Sequence, residues 1–303
     1  MANTIKKKYI GAICNRDIEV MENIKKFLLK NYNIAIVNLM KNGFESFSAK
    51  HLEKKLKKYP ISFLIVKLTT QQINKRIFKI INDICPEIPL LNELKSVQIC
   101  ESRNETFSII KNDNKKIFIP RLFNSKIDAL QASRKGVDII VKLDAHNIPG
   151  LPKNDRIIGI AKFPTELSEL IDKHGENTLF FQEYLGEHDI IYKIYVIGNW
   201  VVSITSHNRL QQKTELSPLD LMHIRIPIEE RFKRRIIRLG RKLGMSVFGL
   251  DYVLTEKGPY IVDINDFPSF RSIPEGVSLI SDHIYNLINM REIYQNAFLK
   301  AKS

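Results

Sequence analysis

The chain has 303 residues, of which 44% are hydrophobic and 26% charged, and a formal net charge of +14 at pH 7. This composition is typical of a soluble globular protein with room for two or three lobes, and no apolar run approaches the roughly 18 residues of a membrane span. We therefore expect a cytoplasmic protein with no membrane partner, whose positive charge favours anionic partners.

The first ninety residues alternate between strand and helix patterns, which predicts an α/β lobe with a parallel sheet. The order is strand, helix, strand, helix, strand, at residues 9–14, 17–30, 34–39, 51–58 and 61–68. Pro86 and Pro89 then interrupt the pattern, and a new unit begins near Leu91.

The second section begins with helical spacing over residues 96–110, followed by a helix around 125–133 and a buried strand at 137–143. The third section carries a strand at 178–184 and an alternating strand at 190–197, which turns through Gly198-Asn199 into a strand at 200–204. A basic helix is predicted over 228–243, and a closing helix over the last 25 residues.

The cysteines do not indicate a structural site. Cys14, Cys85 and Cys100 are odd in number, far apart and without C-x-x-C spacing. This pattern favours neither a disulfide framework nor a zinc site.

A hairpin near the C-terminal end brings acidic residues together. Apolar runs at 252–254 and 260–262 are joined by a turn signal at 255–259. A loop of this length places Asp251 opposite Asp263 within about one residue of register, and period two puts Asn265 on the face of Asp263. Side-chain oxygens without thiolate or imidazole suit Mg²⁺. The alternative is a hairpin whose acids face solvent, which the surrounding apolar residues disfavour.

The order of these parts resembles the ATP-grasp superfamily and, more narrowly, the inositol 1,3,4-trisphosphate 5/6-kinase family. The resemblance covers nearly the whole chain and is carried by Phe-Gly-Leu-Asp at 248–251, Asp-Ile-Asn-x-Phe-Pro at 263–268 and Gln-Glu-Tyr-Leu at 182–185. It implies an α/β, ATP-grasp fold of three lobes. These are an N-terminal α/β (pre-ATP-grasp) lobe at 1–92, a central lobe at 93–181, and a C-terminal lobe with the metal site at 182–303.

The resemblance also implies where ATP and Mg²⁺ bind, between the central and C-terminal lobes. Asp251, Asp263 and Asn265 would hold the metal under the phosphates. Lys142 would meet the nucleotide phosphates, and Arg103 would be a second nucleotide contact. The adenine hinge would consist of Gln182, Glu183, Tyr184 and Leu185.

On the substrate side, the resemblance implies catalytic and substrate-binding roles for Lys193 and His146. Lys193 lies in a Tyr-Lys pair, where the inositol kinases have lysine and many ATP-grasp ligases have arginine. The other implied substrate contacts are Lys67, Asn265, Ser269 and Arg271, with His188 as a further candidate. Arg16 lies near the place of a substrate-contacting lysine of the family.

Two departures from the family pattern fall on this substrate side. The family's His-Gly pair is here His146-Asn147, and the segment between His188 and Lys193 is one residue shorter. Nucleotide and metal binding are therefore better supported than the identity of the acceptor.

The resemblance thus implies a monomeric, Mg-ATP-dependent kinase that phosphorylates a hydroxyl of an inositol polyphosphate. One alternative is an ATP-grasp carboxylate-amine ligase acting through an acyl phosphate, against which Lys193 and the Phe-Pro-Ser-Phe sequence at 267–270 speak. Another is a nucleic-acid-binding module using the basic helix at 228–243. No nucleic-acid motif is present and aromatic residues are not interleaved with the basic runs, so we expect no nucleic-acid partner.

Overall fold

The computed structural model describes residues 7–42, 46–113, 117–151, 153–174, 179–208, 210 and 217–300. The predicted strand start at Thr178 and the predicted end of the closing helix at 301–303 lie outside the described residues.

The secondary structure alternates in the N-terminal third and is mixed afterwards. The strands are β1 Lys8–Cys14, β2 Ile34–Asn38, β3 Ile61–Lys67, β4 Leu90–Leu91, β5 Leu122–Phe123, β6 Ile139–Leu143, β7 Ile157–Ala161, β8 Leu179–Glu183, β9 Ile190–Ile197, β10 Trp200–His207, β11 Arg225–Ile226, β12 Val247–Thr255 and β13 Gly258–Asp266. The helices are α1 Ile18–Tyr32, α2 Ala49–Lys58, α3 Asn74–Ile84, α4 Leu94–Ile99, α5 Arg103–Asp113, α6 Lys126–Ser133, α7 Pro164–His174, α8 Pro218–Leu221, α9 Glu230–Lys242 and α10 Gly276–Lys300.

The N-terminal sheet has the order β2-β1-β3-β4, and each pairing is parallel. This confirms the parallel sheet that the alternating pattern predicted. Helix α1 buries Val20, Ile24 and Leu28, spaced by four residues, against one face of the sheet. Helix α3, which the sequence reading did not predict, buries Ile77, Phe78 and Ile81 on the other face.

The central sheet has the order β5-β8-β6-β7 and is antiparallel. The predicted helix over 96–110 is wrong as one element, because α4 and α5 are separate helices. Between them Ser102 pairs with Ala145, and the N–H of Arg103 donates to the carbonyl of Asp144 at 2.9 Å. These bonds turn the backbone toward the loop after β6 and so interrupt the helix.

The C-terminal sheet has the order β11-β10-β9-β12-β13 and is antiparallel. Its two faces belong to different cores. On one face, Ile194 and Val196 of β9 pack with Ile236 and Leu239 of α9.

The other face of this sheet shares a core with the N-terminal lobe. Tyr195 and Ile197 of β9 lie in one cluster with α1 and α10. At the contact between these two helices, Tyr32 and Tyr285 stack with ring centroids 4.2 Å apart. The three sheets follow one another in the order of the three predicted domains. The domain boundaries stay predictions, and strand β8 crosses the predicted boundary between residues 181 and 182.

Candidate active site

Three neighbouring strands bring ionisable side chains into one row across the C-terminal sheet. Asp251 of β12 pairs directly with Asp263 of β13, as the hairpin pattern predicted, and with Lys193 of β9 on its other side. The ammonium of Lys193 lies 3.1 Å from Asp251 Oδ2. The register shifts between Asp251 and Tyr252, so a bulge follows the row. We call Lys193, Asp251 and Asp263 the transverse row.

The carboxylate of Asp263 is held by an arginine from the central lobe. Arg103, at the start of α5, is buried and donates from Nε and a terminal nitrogen to the two oxygens of Asp263, at 3.2 and 3.3 Å. Burial alone would raise the pKa of Asp263, but the charges of Arg103 and Lys142, together with His146, hold it well below its usual range. Asp263 is therefore ionised at neutral pH.

Arg103 also fixes the loop after β6. Its remaining nitrogen donates to the carbonyls of Leu143 and Ala145, at 2.5 and 3.3 Å. The predicted nucleotide contact is thus engaged with Asp263 and with the central lobe, and it lines the same cleft as Asp263.

His146 lies behind the hairpin acids, where it is almost fully buried. Its Nδ1 is 3.2 Å from Asn265 Oδ1, and its Nε2 is 3.7 Å from Asp263 Oδ1. Burial, followed by the charge of Arg103, lowers the pKa of His146 to about 3, so the imidazole is neutral at physiological pH. The resemblance implied a substrate-facing loop residue, and the burial of His146 was not expected from the sequence. A direct contact with substrate stays a prediction.

Lys142, at the end of β6, is buried and points at the hairpin. It donates to Gln182 Oε1 and to the carbonyl of Val262, both at 2.9 Å. Burial lowers the pKa of Lys142 to about 8. Because an ammonium only donates, Gln182 turns its oxygen to Lys142, which leaves its buried Nε2 without a partner among the described residues.

A cleft of about 100 Å³ opens beside these residues. Its lining combines the predicted hinge with both hairpin acids. The lining residues include Arg103, Lys142, Gln182, Leu185, Asp251 and Asp263. The cleft thus lies between the central and C-terminal sheets, where the resemblance implied a nucleotide.

One backbone N–H group of the predicted hinge has no acceptor among the described residues. The N–H groups of Glu183 and Tyr184 donate at 2.8 Å to the carbonyls of Arg121 and Asp138. Within the described chain no group accepts from the N–H of Leu185. His188, a further predicted candidate, also lines the cleft, with Nε2 3.3 Å from the carbonyl of Leu185.

Lys67 does not face this cleft. Its side chain is buried, and its ammonium donates to the carbonyls of Phe267 and Pro268 and pairs with Asp17 at 3.1 Å. Burial lowers the pKa of Lys67 to about 8. The structure therefore gives Lys67 a role in tying the N-terminal lobe to the end of β13. The predicted substrate contact stays a prediction.

Arg16 adds a second tie that the sequence did not indicate. It donates to the carbonyl of Asp266 at 3.1 Å and to its carboxylate at 3.2 Å, and both side chains are mostly buried. Arg271 is 57% exposed and lies 3.7 Å from Asp17. Ser269 is half-buried in the same segment. The charged side chains of Arg16, Asp266 and Arg271 therefore lie together beside the end of the hairpin.

Asn208 also lines the cleft and donates to the carbonyl of His188 at 2.7 Å. No motif in the sequence marks it, because its position follows only from the pairing of β9 with β10.

The donor set fits a divalent cation that keeps several water or phosphate ligands. Asp251, Asp263 and Asn265 supply two carboxylates and an amide, the number of protein oxygens that Mg²⁺ often takes beside a nucleotide. Within the described ranges, no three His, Cys, Asp or Glu side chains gather as a closed metal site. The arrangement therefore suits a metal shared with a ligand better than a structural ion.

Comparisons with known proteins support the resemblance. No family model matches the chain. Curated relatives include an inositol-tetrakisphosphate 1-kinase 3 from Arabidopsis thaliana, 24% identical over 190 residues, which are 50% of this chain and 54% of the relative. An inositol-tetrakisphosphate 1-kinase from Xenopus laevis is 20% identical over 246 residues, covering 67% of this chain and 59% of the relative.

The chain thus spans between half and three fifths of the length of these two relatives. A third relative matches more fully. An inositol-tetrakisphosphate 1-kinase 2 from Oryza sativa subsp. indica is 20% identical over 299 residues, covering 88% of this chain and 83% of the relative.

Solved structures establish the fold. A D-alanine–D-alanine ligase from Bacillus anthracis complexed with ATP superposes with a TM-score of 0.64 and 15% identity, over 95% of this chain and 99% of that chain. A RimK domain protein ATP-grasp from Sphaerobacter thermophilus has a TM-score of 0.61 and 14% identity, over 91% and 99%. The expected ATP-grasp fold is confirmed.

Proposed function

We propose that this chain, which has the ATP-grasp fold and resembles the inositol phosphate kinases, transfers the γ-phosphate of Mg-ATP to a hydroxyl of an inositol polyphosphate. The observation that carries the proposal is the transverse row at the edge of the interlobe cleft, where two acids and a lysine meet. The names of the curated relatives support the kinase class.

The hinge end of the cleft would hold the adenine. The N–H of Leu185 and the unpartnered Nε2 of Gln182 are donors that a purine ring nitrogen could accept from. Lys142 lies between this end and the hairpin acids, where its ammonium would meet the phosphates as a compact charge.

Asp251, Asp263 and Asn265 would hold magnesium at the other end. When bound, magnesium would supply charge neutralisation on the phosphate oxygens. The chain prepares these groups for a cation. Arg103 keeps Asp263 ionised, and the contact with His146 orients the amide of Asn265.

The acceptor side depends on positive charge and on position. Phosphoryl transfer asks the protein mainly to align the acceptor hydroxyl with the γ-phosphorus and to offset negative charge. Lys193 lies next to Asp251 with its side chain part-exposed, and Arg271 is exposed beside the same hairpin. We assign Lys193 to the phosphates of the acceptor, and His146 to holding Asn265.

The activity test measures ADP formed from Mg-ATP with a panel of inositol phosphates, beside a panel of amino acids and acidic peptides. A kinase releases ADP with an inositol phosphate alone and produces a more highly phosphorylated ring. ADP release that needs both an acid and an amine would instead identify a ligase.

Two substitutions test the assigned roles. We expect Asp251→Asn to reduce turnover at least about 100-fold, because a lost metal ligand removes several kcal/mol of transition-state stabilisation. Lys193→Met should instead raise the KM for the acceptor on the order of 10-fold and leave ATP binding unchanged. Asp251 is preferable to Asp263, whose removal would leave Arg103 buried without a counter-charge.

Calorimetric titration of Mg-ATP into both variants separates the two roles. Unchanged Mg-ATP affinity in Asp251→Asn would contradict the metal assignment. Weakened Mg-ATP affinity in Lys193→Met would contradict the acceptor assignment.

The second candidate is a carboxylate-amine ligase, which the names of structural neighbours favour. Lys193 speaks against it, because many ATP-grasp ligases have arginine at this position. The combined substrate panel distinguishes the two functions.

A further inference from the structure

Arg156 lies at the edge of the proposed active site, and neither the sequence motifs nor the metal hairpin assigns it a role. It ends the short 3₁₀ helix Lys153–Arg156, directly before β7. The next residue, Ile157, pairs with Lys142 across the central sheet and lines the cleft. The backbone of the central lobe therefore carries Arg156 to the boundary of the site.

The guanidinium of Arg156 has more donors than the protein uses. A guanidinium offers five N–H groups. In the described part of the chain, Nη1 of Arg156 donates to Asn147 Oδ1 at 3.4 Å, whereas the Nε is buried without a partner. Among the described residues no carboxylate forms an ion pair with Arg156, and its side chain is half-buried. Most of its hydrogen-bonding capacity is therefore available to a ligand.

The acids whose charges reach Arg156 are already paired with other cations. Burial, followed by the charge of Arg103, lowers the pKa of Arg156, and the charges of Asp263 and Asp17 oppose this shift. Asp263 is paired with Arg103, and Asp17 with Lys67. Arg156 therefore adds a positive charge that these acids do not neutralise.

A second arginine approaches from the N-terminal lobe. Arg16 is close enough for its charge to contribute to the lowered pKa of Arg156. Its contacts with Asp266 come from a terminal nitrogen, and its own Nε is also buried without a partner within the described ranges. The N–H of Thr70 donates to the carbonyl of Asn147 at 3.1 Å, which fixes the N-terminal lobe against the loop beside Arg156. Two neighbouring cations with unused donors favour a bound anion.

This pair of arginines lies outside the nucleotide cleft. Arg103, Lys142 and Asp263 line the cleft, but Arg16 and Arg156 are not among the described residues that do so. The phosphates of ATP would lie beside Lys142 and the hairpin acids. A group bound at Arg156 therefore lies beyond them, toward the N-terminal lobe.

We propose that Arg156 binds a phosphate group of the acceptor, between the central lobe and Arg16 of the N-terminal lobe. The assignment rests on the proposed kinase function and adds to it a residue that orients the acceptor. The planar fork of a guanidinium matches two oxygens of one phosphate. The favoured acceptor therefore carries a phosphate in addition to the hydroxyl that reacts, and unphosphorylated inositol binds weakly.

A purely structural role explains Arg156 less well. Buried polar groups are normally hydrogen-bonded, and an arginine that only held its loop would satisfy its Nε. Its one hydrogen bond, to Asn147, is also longer than the usual range for N–H···O bonds. The contacts of Arg156 with the protein are therefore too few to account for a partly buried charge.

The first test measures binding without phosphoryl transfer. Inositol hexakisphosphate carries a phosphate at every ring position and no free hydroxyl, so it probes the phosphate sites alone. In calorimetric titrations of the full chain, Arg156→Met should raise the Kd of this probe on the order of 30-fold, since hydrogen bonds to charged groups contribute about one to two decades of affinity. Arg156→Lys keeps the charge but loses the fork, and should raise the Kd roughly 5-fold.

Arg134→Met is the matched control. Arg134 is exposed at the end of α6 in the same lobe, and no described acid forms an ion pair with it. The substitution removes the same charge at a distance from the site, and should change the Kd of the probe by less than about 3-fold. Arg156→Met and Arg134→Met should both keep the wild-type affinity for Mg-ATP and the wild-type melting temperature.

The second test compares acceptors in the turnover assay. The panel consists of inositol phosphates that each lack a different phosphate. Arg156→Met should raise the KM on the order of 30-fold for acceptors that carry the contacted phosphate. An acceptor that lacks this phosphate has already lost the contact, so the substitution should change its KM little.

Four results would overturn the proposal. These are no binding of inositol hexakisphosphate to the wild-type chain, equal loss of its affinity in Arg156→Met and Arg134→Met, weakened Mg-ATP binding in Arg156→Met, and an equal rise in KM for every acceptor. If Arg156→Met weakens binding of the probe but no inositol phosphate is phosphorylated, the phosphate site is supported and the proposed kinase function is refuted.

Discussion

Glu101 shows how one carboxyl group can report on the contact between lobes. It lies between α4 and α5, and it accepts a hydrogen bond from Asn74 of the N-terminal lobe. Burial raises the pKa of Glu101 to about 7. The folded protein therefore holds a proton on this side chain that the unfolded chain loses near its ordinary pKa.

This difference predicts a pH-dependent stability. A raised carboxyl pKa contributes stability that is fully present below the unfolded pKa and is lost as the pH rises through about 7. Glu101→Gln keeps the acceptor for Asn74 and removes the titration. We expect the variant to gain free energy of unfolding relative to wild type between pH 5 and 8, measured by urea denaturation.

Glu53→Gln is the control, because Glu53 is exposed on α2 and its substitution removes a carboxyl group of the same type without touching Glu101. A parallel pH profile for Glu101→Gln and wild type would contradict the prediction.

At the scale of single residues, the sequence predicted the contacts that local periodicity determines. The opposition of Asp251 and Asp263 follows from two strands and a short turn, all within thirteen residues. The pairing of Arg103 with Asp263 spans 160 residues, and no local pattern encodes it. The resemblance implied Lys67 as a substrate contact, but its burial against Phe267 depends on how two lobes meet.

Among the elements, α9 is held against the sheet by a close approach at Gly240. A Cβ at this position would lie 2.8 Å from the carbonyl oxygen of Met245 and 2.8 Å from a ring carbon of Phe248. Both distances are shorter than van der Waals contact, and the carbonyl belongs to the backbone. Gly240 therefore sets the distance between helix and strand.

Gly240→Ala should destabilise the protein despite the better helix propensity of alanine. The propensity gain is about 1 kcal/mol, whereas overpacking costs about 1–3 kcal/mol. We expect a net loss of roughly 1 kcal/mol in the free energy of unfolding, measured by chemical denaturation. Arg238→Ala, on the exposed face of the same helix, should change it by less than about 0.5 kcal/mol. If the Gly240→Ala variant were more stable than wild type, α9 could move away from the sheet, and Gly240 would not set the distance between them.

Two of the elements that the sequence missed, α7 and β7, have weak local signals. Helix α7 buries only Leu167 and Ile171, and β7 is a short apolar stretch without alternation. Strands β9 and β10 were predicted closely, since a Gly-Asn turn separates two long apolar runs. For these four elements pattern strength decided the outcome, whereas α3 was missed although it buries Ile77, Phe78 and Ile81 at helical spacing.

At the scale of the whole molecule, buried charges join the N-terminal lobe to the metal hairpin. Arg16 and Lys67 both bind the segment after Asn265, and Phe267 and Phe270 have positive φ angles of 38° and 56°. Such angles are costly for residues other than glycine. The first lobe therefore holds the end of the hairpin in a conformation that this segment would not adopt alone.

The tie between Arg16 and Asp266 should appear in a double-mutant cycle. Arg16→Met or Asp266→Leu alone leaves a buried charge unpaired and should cost about 3–5 kcal/mol. The double variant should cost well below the sum, because neither charge remains. Denaturation with guanidinium chloride measures all four corners of the cycle.

The exposed pair Arg225 and Glu275 offers the comparison. Arg225→Met should cost less than about 1 kcal/mol, since surface ion pairs contribute little. Additive effects at Arg16 and Asp266 would mean that the two lobes are not coupled through this pair.

The transverse row has a consequence for engineering. Lys193, Asp251 and Asp263 come from three adjacent strands at one level of the sheet, so a one-residue deletion in any of these strands would turn its member toward the opposite side. Grafting the three side chains singly onto another scaffold would fail for the same reason. The smallest transplantable unit is the three-stranded segment with its bulge, and length changes belong in the loops outside it.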